Sequence, residues 1–348
     1  MEVAPARLAD LPRDLQTVVL RFFLLHEVLL FGRVCTSLRE AAHKTLECTT
    51  EVVLPAAGDV PGGAARTRTE LSVAAAWCSR LRTLDFRAAD AISLATFRQA
   101  TAASRRSLER ILYGPVAVPG GGGALVLDRS FASLRVLCIS AAVSDYLLCA
   151  LGAYRTLEAL ELGDVSHDAD YAHEHLHTVL QRNPGLQIVH LVSHPDLKFL
   201  AACSLPRLTA LAVPYMRIRP PLENVEQLRR YGPQLTSLNF GESNVDLDIV
   251  RAVAACCPAL RRLSFALAGA DAGPALDCLE SPGFLPQLRH LGCRSAAGVD
   301  ADRASTYADR LAGSRPDCRV FDYAVSRVAP RWCAPVFGIA ALAAELEL

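Results

Sequence analysis

The sequence lacks several features that would assign it to familiar classes. It has no C-x-x-C pair, the spacing that thiolate zinc fingers use, and no N-x-S/T glycosylation site. Its 36 basic residues balance its 36 acidic residues, so chain-wide electrostatic attraction to nucleic acid or acidic lipid is not expected. These absences predict a protein without nucleic-acid or membrane partners, and no cofactor or metal is expected.

No apolar run is long enough to span a bilayer, although 51% of the residues are hydrophobic. The longest run near the start, residues 18–31, is interrupted by Arg21, His26 and Glu27. Residues 1–10 lack the basic stretch and apolar core of a secretory signal. The 12 cysteines have no framework-like spacing, and most lie in apolar stretches. We therefore expect reduced thiols and a cytoplasmic or nuclear location.

One short pattern, L-x-x-L-x-L, recurs ten times with apolar substitutes at some sites. Two examples are "SRLRTLDF", which ends at Phe86, and "PQLTSLNF", which ends at Phe240. Successive copies begin 22 to 30 residues apart. Their first positions are Leu81, Leu108, Leu134, Leu157, Leu186, Leu208, Leu235, Leu260, Leu288 and Cys318. This period, sustained over ten copies, indicates a repeat architecture.

Each copy predicts a short strand, because its last apolar residues alternate with polar ones. The segments between copies have helical spacing, as in the segment where Ile249, Val250 and Val253 share one face. Pro258 should end that helix. One strand and one helix per copy resemble the leucine-rich repeat in its longer, helix-bearing form. The predicted fold class is therefore α/β, a solenoid of about ten strand–helix units with a concave strand face.

A compact doubly wound sheet of βαβ units is the alternative fold. It needs longer and more continuously apolar strands than these. It is also often accompanied by a nucleotide-binding fingerprint, and none follows any strand in this sequence. The sequence favours the solenoid.

A helical segment at residues 8–45 precedes the repeats and does not follow their pattern. It predicts three short helices, with Asp10 capping the first, and carries more large apolar surface than about 40 residues can bury. The segment should therefore dock on the repeats, on a partner, or on both. The predicted domains are a helical module at 8–45, the solenoid at 46–330 and a C-terminal cap or tail at 331–348. Within them, the sequence predicts a first helix over 12–23 and a loop over 54–67.

The helical module resembles an F-box. The resemblance rests on Leu11-Pro12 with Asp14 shortly after, on "EVLL" opening the second helix, and on Val34-Cys35 at the family's usual interval. Leu38 departs from the pattern, because the family often has tryptophan there. The resemblance implies binding to the Skp-family adaptor of an SCF-type (cullin–RING) ubiquitin ligase. The implied contact residues are Leu11, Pro12, Leu15, Val18, Val19, Phe22, Phe23, Val28, Leu29, Val34 and Cys35.

The same resemblance implies that the repeats hold a client protein for ubiquitination and that catalysis belongs to other subunits. The alternative is a leucine-rich-repeat scaffold for protein interactions, in which the N-terminal helices only cap the first repeat.

The third and fifth positions of each copy are expected to face outward on the concave sheet. Mid-array they are small or apolar, with polar residues towards both ends, a pattern typical of a protein-binding surface. Crowding between neighbouring strands is the other explanation for the small residues. The expected client-binding residues are Val136, Glu161, Ile188, His190, Ala210, Asn239 and Arg262.

The stretch from His173 to His177 matches H-E-x-x-H, which places two zinc ligands one helical turn apart. Leu176 and Leu180 define the inward side of this predicted helix, so both histidines are expected at its rim or in solvent. A catalytic zinc needs a third protein ligand, and Asn183 stands where the extended motif has histidine. A surface helix is expected; adventitious metal binding and a zinc hydrolase are the alternatives.

Overall fold

The protein forms two compact units, Met1–Leu137 and Cys138–Leu348, which are described separately. The division falls inside a strand of the repeat region, so the helical module belongs to the first unit. The structure is a computed structural model, and it describes residues 8–54, 63–87, 94–113, 130–139, 143, 145–164, 169–193, 197–201, 203–214, 221–245, 247–267, 272–281, 283–295 and 309–322. The predicted tail at 331–348 lies outside these ranges.

The first unit opens with three helices and continues with alternating strands and helices. Its elements are α1 (Arg13–Leu20), α2 (Leu25–Phe31), α3 (Thr36–Cys48), β1 (Glu51–Val53), α4 (Gly63–Trp77), β2 (Thr83–Phe86), α5 (Leu94–Thr101), β3 (Arg110–Tyr113) and the start of β4 (Val136–Ile139). Strand β1 precedes the first full copy of the pattern.

Neighbouring strands of the first unit are parallel and joined in the same way at each step. Strand β1 pairs with β2, and β2 with β3. The backbone N–H groups of Arg82 and Thr83 donate to the Thr50 carbonyl, at 2.7 and 2.9 Å. Those of Glu109 and Arg110 donate to the Arg82 carbonyl, at 2.8 and 2.9 Å. The second residue of the pattern therefore accepts two hydrogen bonds from the next copy.

The second unit continues the same alternation. Its elements are the rest of β4, α6 (Asp145–Leu151), β5 (Ala159–Asp164), α7 (Ala169–Arg182), β6 (Ile188–Ser193), β7 (Ala210–Ala212), α8 (Pro221–Tyr231), β8 (Ser237–Val245), α9 (Leu247–Cys256), β9 (Arg262–Leu267), α10 (Ala272–Glu280), β10 (His290–Ser295) and β11 (Arg319–Asp322).

Strands β5 to β11 are parallel and follow one another in chain order. Neither unit shows a reversal of strand order among its described strands, and a doubly wound sheet needs one. The alternative fold is therefore wrong. Both units have the α/β strand–helix repeat that the sequence pattern predicts.

The leucines of the pattern form the core of both units. Nine of the ten first positions are leucines with 2% exposure or less, and Cys318, the tenth, is 6% exposed. The fourth positions from Leu84 to Leu291 are equally buried. Full burial of one leucine side chain contributes about 1.5–3 kcal/mol. The repeat inferred from the sequence is confirmed by this burial.

The helices between strands begin and end much as the sequence predicts. Helix α9 buries Ile249, Val250 and Val253 and ends at Cys256, two residues before Pro258. Helices α7 and α8 also end two residues before a proline. Proline lacks the N–H that helix continuation needs, which explains these ends.

Polar side chains at helix ends join consecutive repeats, a feature that the pattern did not reveal. Asn183 is fully buried; its Nδ2 donates to the Tyr154 carbonyl at 3.1 Å, and its Oδ1 accepts from the Leu157 N–H at 3.0 Å. The Tyr231 hydroxyl donates to the Cys203 carbonyl at 2.6 Å. These bonds satisfy backbone groups that the preceding repeat leaves unpaired.

Three expectations of local structure are wrong. Helix α1 ends at Leu20, and no side chain caps its N-terminus, so Asp10 does not act as a cap. The expected loop over 54–67 includes the start of α4 at Gly63. In the tenth copy the register moves by one residue, so that Arg319, and not Val320, pairs with His290.

The ten cysteines whose side chains the structure describes are free thiols. Burial raises the pKa of Cys78 and of Cys257 to about 12, and the charge of Glu70 adds to the effect at Cys78. Burial also raises the pKa of Cys203 to about 11, against the opposing influence of Arg230. These thiols remain protonated at neutral pH and pack as small apolar groups.

The raised thiol pKa values predict destabilisation at alkaline pH. In the unfolded chain these thiols ionise near 9, whereas in the folded chain they stay protonated to about 11 or 12. The free energy of unfolding should therefore fall by about 1.4 kcal/mol per pH unit for each thiol, from about pH 9 to about 11 for Cys203 and to about 12 for Cys78 and Cys257. Denaturant unfolding under reducing conditions should show a shallower pH dependence for Cys78→Ala/Cys203→Ala/Cys257→Ala. Equal slopes for the two proteins would contradict this assignment.

Leucine burial predicts a large stability loss on truncation. Leu235 is fully buried, so Leu235→Ala should lower the free energy of unfolding by roughly 3 kcal/mol in chemical denaturation. Leu30→Ala is the matched control, because Leu30 is 53% exposed and should change stability by less than about 1 kcal/mol. Similar losses for both variants would argue against a leucine core.

Candidate docking surface on the N-terminal helices

Large exposed apolar side chains concentrate on the N-terminal helices and their turns. Within the described residues these side chains are Leu15 (51% exposed), Val18 (49%), Phe22 (86%), Phe23 (39%), Leu30 (53%), Val34 (68%) and Val53 (58%). All but Val53 lie between residues 15 and 34. We call these six residues the apolar docking surface. Apolar side chains exposed together are typical of an interaction site, whereas single exposed residues are not. The concentration of six on three short helices and their turns makes this surface a candidate.

Helix α1 has an unusual distribution of side chains for a surface helix: polar residues are buried on its inner face, and apolar residues are exposed. It buries Gln16, Thr17 and Leu20, of which two are polar. It exposes Leu15 and Val18, which are apolar. A helix that only packed against its own module would turn its apolar side inward. The sequence therefore directs part of the apolar surface of α1 away from the module.

The buried Gln16 explains how α1 tolerates a polar inner face. Its Nε2 donates to the carbonyls of Leu11 at 2.8 Å and Ala9 at 3.1 Å, and its Oε1 accepts from the Ser37 hydroxyl at 3.0 Å. With its polar atoms paired, the amide loses little on burial. The bonds also fix the chain before α1 and the start of α3.

Glu70 on α4 holds α2 in place. Its side chain is 2% exposed, and its carboxylate accepts hydrogen bonds from the backbone N–H groups of Leu25 at 2.9 Å and His26 at 3.2 Å. The His26 imidazole Nδ1 contacts the same carboxylate. The Glu27 carboxylate accepts from the Leu24 N–H at 3.0 Å. Acidic groups at a helix N-terminus pair its free N–H groups, which explains why α2 starts at Leu25.

A cleft of about 310 Å³ lies beside the docking surface, within the first unit. It is bounded by the α1–α2 turn, the end of α3 and strand β1. Phe23 and Val53 bring their exposed side chains to it, and Glu70 also lines it. Phe23 is held by an edge-to-face contact with Phe31, with ring centroids 4.9 Å apart.

The residues expected to contact an adaptor differ in their accessibility. Val28 is 1% exposed and packs inside the module, so it is unavailable to a partner. Pro12 is exposed. Half-buried positions are Leu11, Val19, Leu29 and Cys35. The six residues of the docking surface include the remaining five adaptor-contact residues and add Leu30, which the pattern did not single out.

The expected apolar patch on the sheet face is not exposed. In the second unit, Ile188 is 1% and Ala210 is 3% exposed. In the first unit, Val136 is 1% exposed. Close spacing of parallel strands leaves small side chains little accessible area, as in the crowding explanation. A client could therefore reach polar neighbours on this face but not these apolar side chains.

Two of the expected client-binding residues form a polar pair on adjacent strands. Glu161 on β5 lies opposite His190 on β6, and the His190 Nδ1 is 3.1 Å from the Glu161 Oε2. Both side chains are less than 15% exposed. An ionised carboxylate can only accept, so with Glu161 charged the hydrogen of this contact is on His190 Nδ1.

Asn239 and Arg262 are half-buried. The Asn239 Oδ1 accepts from the Gly241 N–H at 2.8 Å, where β8 departs from regular register. Gly241 has φ +50°, and a Cβ there would come 2.3 Å from the Pro214 Cβ. Asn239 therefore also stabilises a bend that only glycine permits.

The histidine stretch lies on α7, as the sequence predicts. Leu176 and Leu180 are fully buried on its inner face, His177 is half-buried, and Glu174 is exposed. The His173 side chain lies outside the described residues. Among the side chains that the structure describes, no three His, Cys, Asp or Glu residues are grouped as metal ligands would be. Nor does any helix in the described ranges have the length and apolar character to cross a bilayer.

The fold shows which structural class the protein has, and comparison with known proteins adds no family. The parallel strand register and the buried leucines define an α/β leucine-rich-repeat architecture in each unit. No family model matches the chain, and no curated protein does. Among solved structures 55 chains match, one of them an internalin from Listeria monocytogenes. It is 13% identical, with a TM-score of 0.41, and the match covers 86% of this chain and 87% of the internalin chain.

The Glu70 contacts predict a specific stability loss. Glu70→Ala removes the acceptor of two backbone N–H groups and should lower the free energy of unfolding by about 1–3 kcal/mol. Glu47→Ala is the control, because Glu47 is exposed on α3. Chemical denaturation of both variants measures the difference. Equal stability of the two would show that Glu70 does not fix α2.

Proposed function

We propose that the protein is the substrate-recognition subunit of an SCF-type ubiquitin ligase. In this role the N-terminal helices bind a Skp-family adaptor, which links the protein to a cullin–RING ligase, and the repeats bind a client protein. Catalysis belongs to the other subunits, so this chain needs no catalytic residues of its own. Such a ligase operates in the cytosol or nucleus, where reduced thiols are expected.

The observation that supports adaptor binding most strongly is that α1 and the turn after it expose large apolar side chains while α1 buries polar ones. Leu15 and Val18 are about half exposed, and Phe22 is 86% exposed, whereas most other large apolar side chains that the structure describes are buried. Interface hot spots are typically large apolar or aromatic anchors grouped at the centre of a contact. These residues also belong to the F-box resemblance, and α2 and α3 supply Leu30 and, just before α3, Val34.

The scaffold alternative keeps one observation in its favour. The bonds from Glu70 to the start of α2 attach the helical module to α4, as a cap on the repeats requires. Capping explains why Val28 and Leu20 are buried. It does not explain why α1 exposes Leu15 and buries Gln16. Adaptor binding explains both, because a module can cap the repeats on one side and bind a partner on the other.

Adaptor binding is tested with two variants of the full chain. Phe22→Ala with Val34→Ala should weaken retention by a purified Skp-family adaptor roughly tenfold or more, since two exposed anchors are lost without disturbing the core. The control is Arg229→Gln, which changes an exposed side chain on α8 in the second unit, away from the three helices. Isothermal titration or pull-down measures both.

The proposal fails if the adaptor does not bind the unaltered chain, and the scaffold alternative then remains. It also fails if the double variant binds as well as the control. Circular dichroism and unfolding of each variant establish that the fold is retained.

A further inference from the structure

Strand β1 is the first in the strand order, so among the described strands it pairs on one side only, with β2. The Thr50 carbonyl accepts two N–H groups from the next copy, and the Leu54 N–H donates to the Asp85 carbonyl at 2.8 Å. Alternate residues of a strand bond to the same neighbour, so Glu51 and Val53 direct their backbone groups to the other side. No hydrogen bond to these two positions is present there within the described residues.

The cleft of about 310 Å³ in the first unit lies on this unpaired side of β1. It is lined by every residue of β1 and by none of the described residues of β2. On the side of the helices, Leu20 and Val28 line it. Glu51 and Val53 are exposed, whereas Val52 points into the core and is 4% exposed. An extended chain beside β1 would alternate in the same way, with every second side chain directed into the cleft.

One carboxylate on this edge has no charged partner. Glu51 is exposed and forms no ion pair with a described residue. The Glu70 carboxylate, which also lines the cleft, is already bonded to the Leu25 N–H and to His26. Arg21 lines the cleft from the α1–α2 turn and forms no salt bridge with Glu51. A basic side chain on a neighbouring strand, opposite Glu51, would complete a cross-strand pair of opposite charges.

We propose that the open edge of β1 binds an extended segment of a partner protein, which adds a strand beside β1 and places a lysine or arginine opposite Glu51. The unpaired N–H and C=O groups of Glu51 and Val53 supply the main-chain hydrogen bonds, and the cleft holds the inward side chains. The three residues of β1 span about 10 Å, so the added strand is short. This second site does not depend on adaptor binding.

A second copy of this chain suits the edge less well than a segment of another protein. Two β1 strands related by a two-fold axis would run antiparallel. Over three residues, their Glu51 carboxylates would come within about 10 Å of each other on one face, and like charges repel. A partner segment with a basic residue avoids this repulsion.

Peptide binding to the full chain tests the charge pairing. The probe is a labelled eight-residue peptide of alternating valine and threonine in which one central threonine is replaced by lysine; the matched peptide has glutamate there. Fluorescence anisotropy should show roughly fivefold weaker binding of the glutamate peptide. Glu51→Lys should reverse this preference. An unchanged preference in Glu51→Lys, or no binding of the lysine peptide to the unaltered chain, would overturn the proposal.

Main-chain recognition is tested by blocking the hydrogen bonds from either side. Val53→Pro removes an N–H that faces the open edge, where a strand tolerates proline, and should abolish peptide binding. Val53→Ala keeps that N–H and is the matched control, which should still bind. On the peptide, N-methyl groups at one set of alternate residues should abolish binding, and at the other set should be tolerated. Equal binding by the two Val53 variants, or equal effects of the two methylated sets, would overturn strand addition.

Two exposed thiols locate the bound peptide. Cys48 is exposed and lines the cleft, whereas Cys149 is exposed in the second unit. Saturating peptide should slow the alkylation of Cys48 by iodoacetamide several-fold and leave that of Cys149 unchanged, as measured by mass spectrometry. Equal changes at both thiols, or none at Cys48, would overturn the location.

Other occupants of the edge give different results, each of which would overturn the assignment to a partner segment. A dimer in light scattering that becomes a monomer in Val53→Pro would assign the edge to a second copy. Peptide binding that appears only after removal of residues 1–7 would assign it to this chain's own first residues. Glu51→Lys should keep its adaptor binding, so failure of this proposal and failure of the proposed function are distinguishable.

Discussion

Burial of each copy's leucines by the next copy is the interaction on which the rest of the structure depends. A single copy cannot enclose its apolar side, so stability arises from stacking. Leu235 and Leu260, which begin successive copies, are fully buried. Two hydrogen bonds to one carbonyl join successive copies and fix their register. That register decides which side chains lie opposite one another on neighbouring strands: it places Glu161 beside His190 and Arg262 beside His290.

The helical module follows a different rule, because its stability comes from paired polar groups as well as apolar contacts. Gln16 and Glu70 are both nearly inaccessible, and each satisfies backbone or side-chain partners from other segments. Because the inner face of the module is formed by these paired polar groups and by buried apolar residues, Leu15, Val18 and Phe22 are not needed in the core. Their exposure is therefore compatible with a stable module, and it is the preformed apolar area that the proposed adaptor would bind.

Periodic features of the sequence predicted the fold well, and features without a period were missed. The repeat and α7 follow from spacing. Gln16 and Glu70 act through tertiary contacts that no local pattern signals. The accessibility of Ile188 depends on how closely strands approach, which side-chain alternation does not report. The prediction for the tenth copy was wrong for a third reason. The register there is shifted by one residue, and such a shift exchanges the two faces of a strand. Cys318 stands at the first position of this copy, where the other copies have leucine.

In the proposed function, the adaptor binds the exposed apolar surface of the N-terminal helices. Hydrogen–deuterium exchange of the full chain, with and without a Skp-family adaptor, tests it most directly. The account predicts slower exchange on adaptor binding in residues 13–36, and unchanged exchange in strands β5 to β11. Slower exchange confined to the strands, or no change in residues 13–36 when the adaptor is bound, would contradict it.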